Sequence, residues 1–388
     1  MKTARLLACL LSLLLLPSCW DIKDLQSVNY VTSLGLDFSD GQYVVYAQML
    51  DFSSVAKQEK DKTNTTPNMY VGKGVGDSLN LAVNDLFRTA QQQTSFSHVS
   101  TIIFTKNFLD RGMTNAADTL FRFKEIRHTP WVFGTDSSLP DIFTTGGFFN
   151  LTTLATILNE PNELYRQRST IAPIQLVNFV SQVREPGLTV LLPSIYVNKS
   201  QWRENEKPDK KLALSGIYAV DNLEFVGEMK RGDIKGLRWL EERMVRAPLQ
   251  LEKDGRTIAV ISTSKIKRNI RPVEHAETEL PKFSFDLEYK GSVGELLTNA
   301  SMAELTELAQ QTIEQEIRDT FLTALEKGID IYSLEHVLYR KDYAKWKQLH
   351  DEGRFLLSKD SIANITLKIK IMDSGMNRIQ KLNLPREE

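Results

Sequence analysis

The sequence is poor in the side chains that most often build disulfides, metal sites and thiol chemistry. Its 388 residues include only two cysteines, Cys9 and Cys19, and both lie within the first twenty positions. The rest of the chain therefore has no disulfide, no cysteine-ligated metal and no thiol nucleophile. Five histidines leave little material for a zinc site or for a histidine general base.

An excess of charge of one sign is also missing. The 48 lysines and arginines are balanced by 49 acidic residues, which argues against a nucleic-acid partner. After the N-terminal segment, no apolar run approaches the roughly eighteen residues expected of a transmembrane helix. Apolar residues make up 41% of the chain and charged residues 25%, as in folded globular proteins. We therefore expect a folded body with no membrane-spanning helix.

The first residues have the pattern of a bacterial export signal. Lys2 and Arg5 form a positive n-region, and residues 6–16 are an apolar run of eleven residues. A helix of that length spans roughly 16 Å, about half of the ~30 Å hydrocarbon core. The run is therefore typical of a cleaved signal peptide rather than of a membrane-spanning helix.

The residues after this run match a lipobox. Leu16, Pro17, Ser18 and Cys19 place an aliphatic residue three positions before the cysteine and a small one directly before it. Pro17 departs from the small or β-branched residue usual at its position. The pattern predicts that residues 1–18 are removed and that Cys19 carries an S-diacylglycerol and an N-acyl chain, which together hold the protein at a bilayer. The alternative is an ordinary secretory signal with a cysteine placed by chance.

Predicted strands and helices alternate along the mature chain, which favours an α+β or mixed α/β fold. In the first half, periodicity and turn signals define six strands and four helices. The predicted strands cover residues 28–36, 43–50, 69–71, 99–105, 131–134 and 188–196, and the predicted helices cover 79–93, 107–124, 150–158 and 174–183.

The second half contains the clearest local patterns. Residues 283–289 alternate apolar and polar side chains, which predicts a half-buried strand. Ser301 and Glu304 form a capping box before a long amphipathic helix that is expected to stop at Gly328. The other predictions are a hairpin over 212–229, helices over 237–245 and 333–349, strands over 257–267 and 365–371, and a linker over 269–281.

These elements predict a multi-domain body of three mixed sheet–helix domains. The charged stretch at 201–211 marks one boundary, and the proline-containing stretch at 269–281 marks the other. The predicted division is a signal peptide at 1–18, an N-terminal α/β domain at 19–205, a middle hairpin–helix domain at 206–272 and a C-terminal α/β domain with the long amphipathic helix at 273–388.

One motif has the form of a hydrolase signature. Residues 76–79 spell the Gly-Asp-Ser-Leu sequence of GDSL hydrolases, with Ser78 as the nucleophile. Such an enzyme also needs a histidine base within an Asp-x-x-His motif, and neither His336 nor His350 has an aspartate three residues before it. We therefore expect Ser78 to cap a helix, and a GDSL-like esterase stays as an alternative.

Other candidate residues have structural interpretations. The glycine-rich residues 72–76 lack both the ending of a P-loop and the spacing of a dinucleotide fingerprint, so we expect a strand-to-helix turn. His98 is expected to be a hydrogen-bonded structural histidine, and Trp202, Trp239 and Trp346 to be core or contact residues. No catalytic residue, metal site or cofactor is predicted.

Several short motifs, in their order along the chain, resemble the Ger(x)C family of spore germination lipoproteins. Residues 18–21, Ser-Cys-Trp-Asp, resemble the start of its mature chains, and residues 35–37, Gly-Leu-Asp, resemble the end of its first strand. Residues 125–130 depart from its more regular arginine-rich segment. Further resemblances lie at Gly76 and Ser78, residues 97–98, 111–112 and 214–216, Gly227, residues 283–289, Asp330 and Trp346.

The resemblance implies a function and partners. It implies a membrane-anchored lipoprotein, the C subunit of a nutrient germinant receptor, which acts without catalysis beside two polytopic membrane subunits, A and B. It implies a position on the outer face of the spore inner membrane, three mixed α/β domains and no cofactor. A solute-binding lipoprotein of a transporter stays as an alternative, although such proteins have two similar lobes and the predicted segments here are unequal.

Overall fold

The computed structural model describes residues 28–50, 68–273, 280–351 and 357–372. They form two β-sheets with helices packed on them, so the predicted mixed α+β class is confirmed. The first sheet has ten strands and takes in residues 28–230, and the second has four and takes in residues 247–372. Within these described ranges, none of the helices has both the length and the apolar character needed to cross a bilayer.

The first sheet combines a parallel centre with antiparallel margins. Its strands are β1 (Val28–Ser39), β2 (Gln42–Leu50), β3 (Met69–Gly76), β4 (Gln93–Ser95), β5 (Thr101–Thr105), β6 (Trp131–Thr135), β7 (Ile174–Gln175), β8 (Val190–Glu204), β9 (Lys207–Asp221) and β10 (Glu224–Lys230). Their order is β10-β9-β8-β6-β5-β1-β2-β3, with β4 beside β1 and β7 beside β6. Neighbours among β1, β5, β6 and β8 are parallel.

Helices cover both faces of this sheet. They are α1 (Leu79–Phe87), α2 (Met113–Arg122), α3 (Leu139–Phe143), α4 (Pro161–Gln167) and α5 (Leu176–Gln182). Every residue of β5 is buried, as expected of a central parallel strand with both faces covered. Phe104 packs with Phe108 and Phe179 on one face, and Ile103 packs into a separate apolar cluster on the other.

A hairpin of two fifteen-residue strands crosses the first predicted domain boundary. Strands β8 and β9 pair from Val190 and Val220 out to Glu204 and Lys207, and the predicted boundary after residue 205 lies in the turn between them. Because the two strands pair, the sheet continues through this boundary to Lys230. The predicted middle segment at 206–272 is therefore shared between the two sheets.

The second sheet packs against the long predicted helix. Its strands are β11 (Ala247–Lys253), β12 (Arg256–Val273), β13 (Lys282–Leu296) and β14 (Ile362–Met372), and its helices are α6 (Leu237–Leu240), α7 (Met302–Glu326), α8 (Leu334–Lys341) and α9 (Tyr343–Asp351). The Ser301 side chain caps α7 by accepting the Glu304 N–H at 3.2 Å, and Gly328 follows the helix with φ +68°. Both predicted ends of α7 are confirmed.

Several predicted elements differ from the structure. Residues 150–158 contain only a short 3-10 turn, α6 ends after four residues, α1 ends at Phe87, and Asp342 divides the predicted helix at 333–349 into α8 and α9.

The predicted linker at 269–281 begins as strand, since β12 runs to Val273. Pro272 is tolerated there because β11 pairs only with residues 256–263, so in the described sheet the end of β12 has one neighbour and needs hydrogen bonds on one side only.

Candidate functional site

The predicted lipidation site lies outside the described residues. Leu16, Pro17, Ser18 and Cys19 all precede Val28, where the described chain begins. Their assignment as a lipobox and an acylated cysteine stays a prediction.

Ser78 is a helix cap. Its backbone is extended, with φ −144° and ψ 163°, and its side chain accepts the N–H of Leu81 at 3.3 Å. Among the described residues no histidine is hydrogen-bonded to it, so the serine has no base to take its proton. The prediction of a capping role is confirmed, and the geometry gives the esterase alternative no support.

The glycine-rich segment at 72–76 belongs to a strand rather than to a turn. These residues form the second half of β3, and α1 lies directly on them. A Cβ on Gly74 would stand 2.1 Å from the Ala82 carbonyl oxygen, and a Cβ on Gly76 would stand 2.6 Å from the Ala82 nitrogen. The glycines therefore serve close helix–strand packing, and the predicted strand-to-helix turn is wrong.

His98 and two of the three tryptophans have the expected structural roles. His98 Nδ1 lies 3.0 Å from the Ser97 hydroxyl, and its ring packs edge-on against Tyr30. Trp239 and Trp346 are buried, but Trp202 is 50% exposed on the outer part of the β8–β9 hairpin. Trp202 is therefore not a core residue, and its contact is an edge-on packing against Phe148.

Two buried ionic groups lie under the second sheet. Glu316 of α7 accepts hydrogen bonds from Arg238 at 2.8 Å and from the Trp239 indole at 2.6 Å. Burial raises the pKa of Asp330 to about 7, and one of its carboxylate oxygens accepts the Glu335 N–H at 2.8 Å, at the start of α8. These contacts hold the helices in place.

Among the described residues no three histidine, cysteine or acidic side chains come together as metal ligands.

A cavity of about 510 Å³ opens at the edge of the first sheet. The β8–β9 hairpin contributes Trp202 and residues 211–214 to the lining, and residues 146–148 and 155–157 also line the cavity. Helix α4 and the segment after it, which carries Arg168, complete the lining with Arg231. These residues are distant in sequence, and no sequence pattern marked them as a group.

The cavity carries unpaired positive charge. Neither Arg168 nor Arg231 has a side-chain hydrogen bond or an ion pair within the described part of the chain. Partial burial and the nearby charges of Arg231 and Arg238 lower the pKa of Arg168. Lys211 is paired with Asp209 and lies 4.7 Å from the Phe148 ring centroid. A group of this composition favours an anion with an apolar body.

Comparison with known families identifies the chain. Residues 21–197 match the family model described as "Spore germination protein N-terminal domain", and residues 215–375 match "Spore germination B3/GerAC like, C-terminal". The chain belongs to this Ger(x)C family of spore germination proteins. The two matches meet at the β8–β9 hairpin, where the sheet itself is continuous.

Three curated relatives come from Bacillus subtilis (strain 168). Spore germination protein KC is 20% identical over 367 residues, covering 88% of each chain, and spore germination protein B3 is 20% identical over 385 residues, covering 92% of this chain and 96% of the relative. Spore germination protein A3 is 20% identical and covers 65% of this chain and 64% of its own length. The first two matches, which cover most of both chains, confirm the resemblance drawn from the short motifs.

A solved structure shows the same fold. The crystal structure of the GerBC protein superposes with a TM-score of 0.53 and 13% identity, covering 92% of this chain and all of that one. At this identity the likeness concerns the fold alone. It supports the two-sheet arrangement as an architecture shared within the family.

Proposed function

We propose that this protein is the lipid-anchored C subunit of a nutrient germinant receptor, and that it works as a non-catalytic scaffold for two polytopic membrane subunits, A and B. The observation that carries the proposal is the succession of two germination-family matches over residues 21–197 and 215–375. The near-complete coverage of two curated germination proteins supports it.

The proposed lipid anchor is argued from the helices of the described body and from the lipobox in the leader sequence. The described body offers no helix that could span a bilayer, so attachment has to come from elsewhere. The lipobox at Leu16–Cys19 supplies it, because a diacylglycerol and an N-acyl chain provide the two hydrophobic signals that stable anchoring requires. The sequence is nearly neutral, with a net charge of −1, and thus offers no electrostatic attraction to an anionic leaflet.

The anchor also fixes where the body works. Nine residues precede Val28 in the mature chain if cleavage occurs before Cys19, and even a fully extended segment of that length reaches only about 30 Å. The body is therefore held close to the outer face of the spore inner membrane. Confinement of this kind raises the effective concentration of the body toward membrane-embedded partners and favours assembly without an intrinsically strong interface.

Two observations support a scaffold over the alternatives. Among the residues that the structure describes, no base lies beside Ser78 to support the esterase alternative, and Ser78 itself caps a helix. The transporter alternative expects two similar lobes, whereas the two sheets have ten and four strands and different connections. The role we propose is to hold the receptor in a signalling-competent arrangement.

The test is a pair of cysteine variants in spores. Cys19→Ala is expected to leave the membrane fraction, to stop copurifying with the A and B subunits and to abolish the response to nutrients. Cys9→Ser is the matched control, because Cys9 lies in the segment that is removed, and it should behave as wild type. Normal germination and membrane retention of Cys19→Ala would contradict an essential lipid anchor, and failure of the wild-type chain to copurify with either subunit would contradict the receptor assignment.

A further inference from the structure

One segment of the cavity lining is held in place by hydrogen bonds to the start of the second sheet. Ser169, next to Arg168, donates its hydroxyl to the Tyr165 carbonyl at 2.9 Å and accepts the N–H groups of Val245 and Arg246 at 3.0 and 3.1 Å. Its own N–H bonds the Arg246 carbonyl at 2.7 Å. This segment is thereby attached to the start of the second sheet, so the position of Arg168 is set by the junction of the two sheets.

Two of the three cationic side chains on the cavity wall lack a carboxylate partner among the described residues. Arg168 and Arg231 are exposed to solvent and make no side-chain hydrogen bond or ion pair with any described residue, so both guanidinium groups are available to bind a carboxylate or phosphate. Arg168 interacts unfavourably with Arg231 and with Arg238. The carboxylate of Glu160 also lines the cavity, but Glu163 is paired with Arg166. The unpaired charges thus leave a net positive wall.

Apolar and aromatic side chains form the remaining walls. Trp202 and Phe148 meet edge-on with ring centroids 5.0 Å apart, and Leu212, Leu214 and Ile171 also line the cavity. The volume of about 510 Å³ is within the range typical of small-molecule sites, which combine apolar walls with a few convergent polar groups. The cavity therefore has room for a compact organic molecule rather than for a bare ion.

We propose that this cavity binds a small amphipathic organic anion, with its carboxylate or phosphate group against Arg168 and Arg231 and its apolar body against Trp202 and Phe148. The proposal does not depend on the lipid anchor or on the receptor partners, since it concerns the folded body alone. A bound anion would neutralise the repulsion between the two guanidinium groups. The anion would also contact both the β8–β9 hairpin of the first sheet and the Arg168 segment, which is hydrogen-bonded to the start of the second sheet. Binding would therefore affect the junction of the two sheets.

The experiment is saturation-transfer NMR on the full chain in detergent, with three probes. 3-Phenylpropionate and phenyl phosphate carry the two anionic groups, and 3-phenylpropanamide is the neutral match of the first. At least one anion is expected to bind at least about tenfold more tightly than the amide, since a charged hydrogen bond contributes about 1.5 kcal/mol or more. The anion that binds identifies the preferred head group.

Charge-removing variants assign the binding to this cavity. Arg168→Gln and Arg231→Gln should each weaken the bound anion about tenfold, without lowering the melting temperature, because each change removes a like-charge repulsion. Arg122→Gln, at an exposed position of α2 outside the cavity lining, should bind as wild type. The proposal is overturned if neither anion binds in the millimolar range, if the amide binds as tightly as the anions, or if the three variants bind alike.

Discussion

The regions around the two sheets differ in whether their arginines have ionic partners. Under the second sheet, Arg238 and Glu316 are mostly buried and face each other at 2.8 Å, with the Trp239 indole as a further donor. At the edge of the first sheet, Arg168 and Arg231 line an open cavity without a partner among the described residues. The contrast teaches that one region uses charge to fix helix positions, and that the other keeps charge available for a ligand.

The largest change in the free energy of unfolding is expected from the buried carboxyl of Asp330, in the region of the second sheet. Because burial raises the pKa of Asp330 to about 7, the folded chain keeps this proton between about pH 4 and 7 while the unfolded chain releases it. The free energy of unfolding should therefore fall as the pH rises through this window, by on the order of 4 kcal/mol at most. Asp330→Asn should flatten this fall in denaturant titrations across pH 4 to 8.

An exposed aspartate supplies the control for that measurement. Asp233→Asn, at an exposed position after β10, should keep the wild-type slope. Equal slopes for wild type and Asp330→Asn would show that the buried carboxyl does not govern the pH dependence of the second region.

The buried ion pair should give the next largest effect. Glu316→Gln leaves the Arg238 guanidinium buried without its counter-charge, and loss of one partner from a buried pair costs about 3 kcal/mol. Chemical denaturation measures this loss. Glu314→Gln on the same helix removes a more exposed pair with Arg318 and should cost less than about 0.5 kcal/mol. Similar losses for the two variants would contradict the distinction between buried and exposed pairs.

The smallest effect is expected in the first region, at the start of α1. Ser78→Ala removes the side chain that accepts the Leu81 N–H and should lower the free energy of unfolding by about 1 kcal/mol. Ser78→Asp keeps a capping oxygen and should remain near wild type. A loss of measurable ester hydrolysis in Ser78→Ala, with hydrolysis present in wild type, would instead revive the esterase alternative.

The local signals in the sequence predicted the elements that depend on local physics. Ser301, Glu304 and Gly328 defined both ends of α7, because caps and C-terminal glycines act within a few residues. The alternation over residues 283–289 likewise defined the core of β13. The family resemblance, drawn from short motifs in order, is confirmed by matches over most of the chain.

Other features depend on contacts between distant residues, which no single sequence reveals. The charged stretch at 201–211 predicts a domain boundary, yet it pairs as the outer part of a long hairpin. The cavity is lined by residues that lie between Phe133 and Arg231 in the sequence. The feature that matters for binding is that Arg168 and Arg231 have no ionic partner among the described residues. Pairing among 48 basic and 49 acidic residues becomes visible only when the fold is known.

The most direct test of the central claim is intact-mass analysis of the native protein extracted from spore membranes. The account predicts a chain that begins at Cys19 and carries the added mass of a diacylglycerol and an N-acyl chain. A chain that retains residues 1–18, or one with an unmodified Cys19, would contradict it.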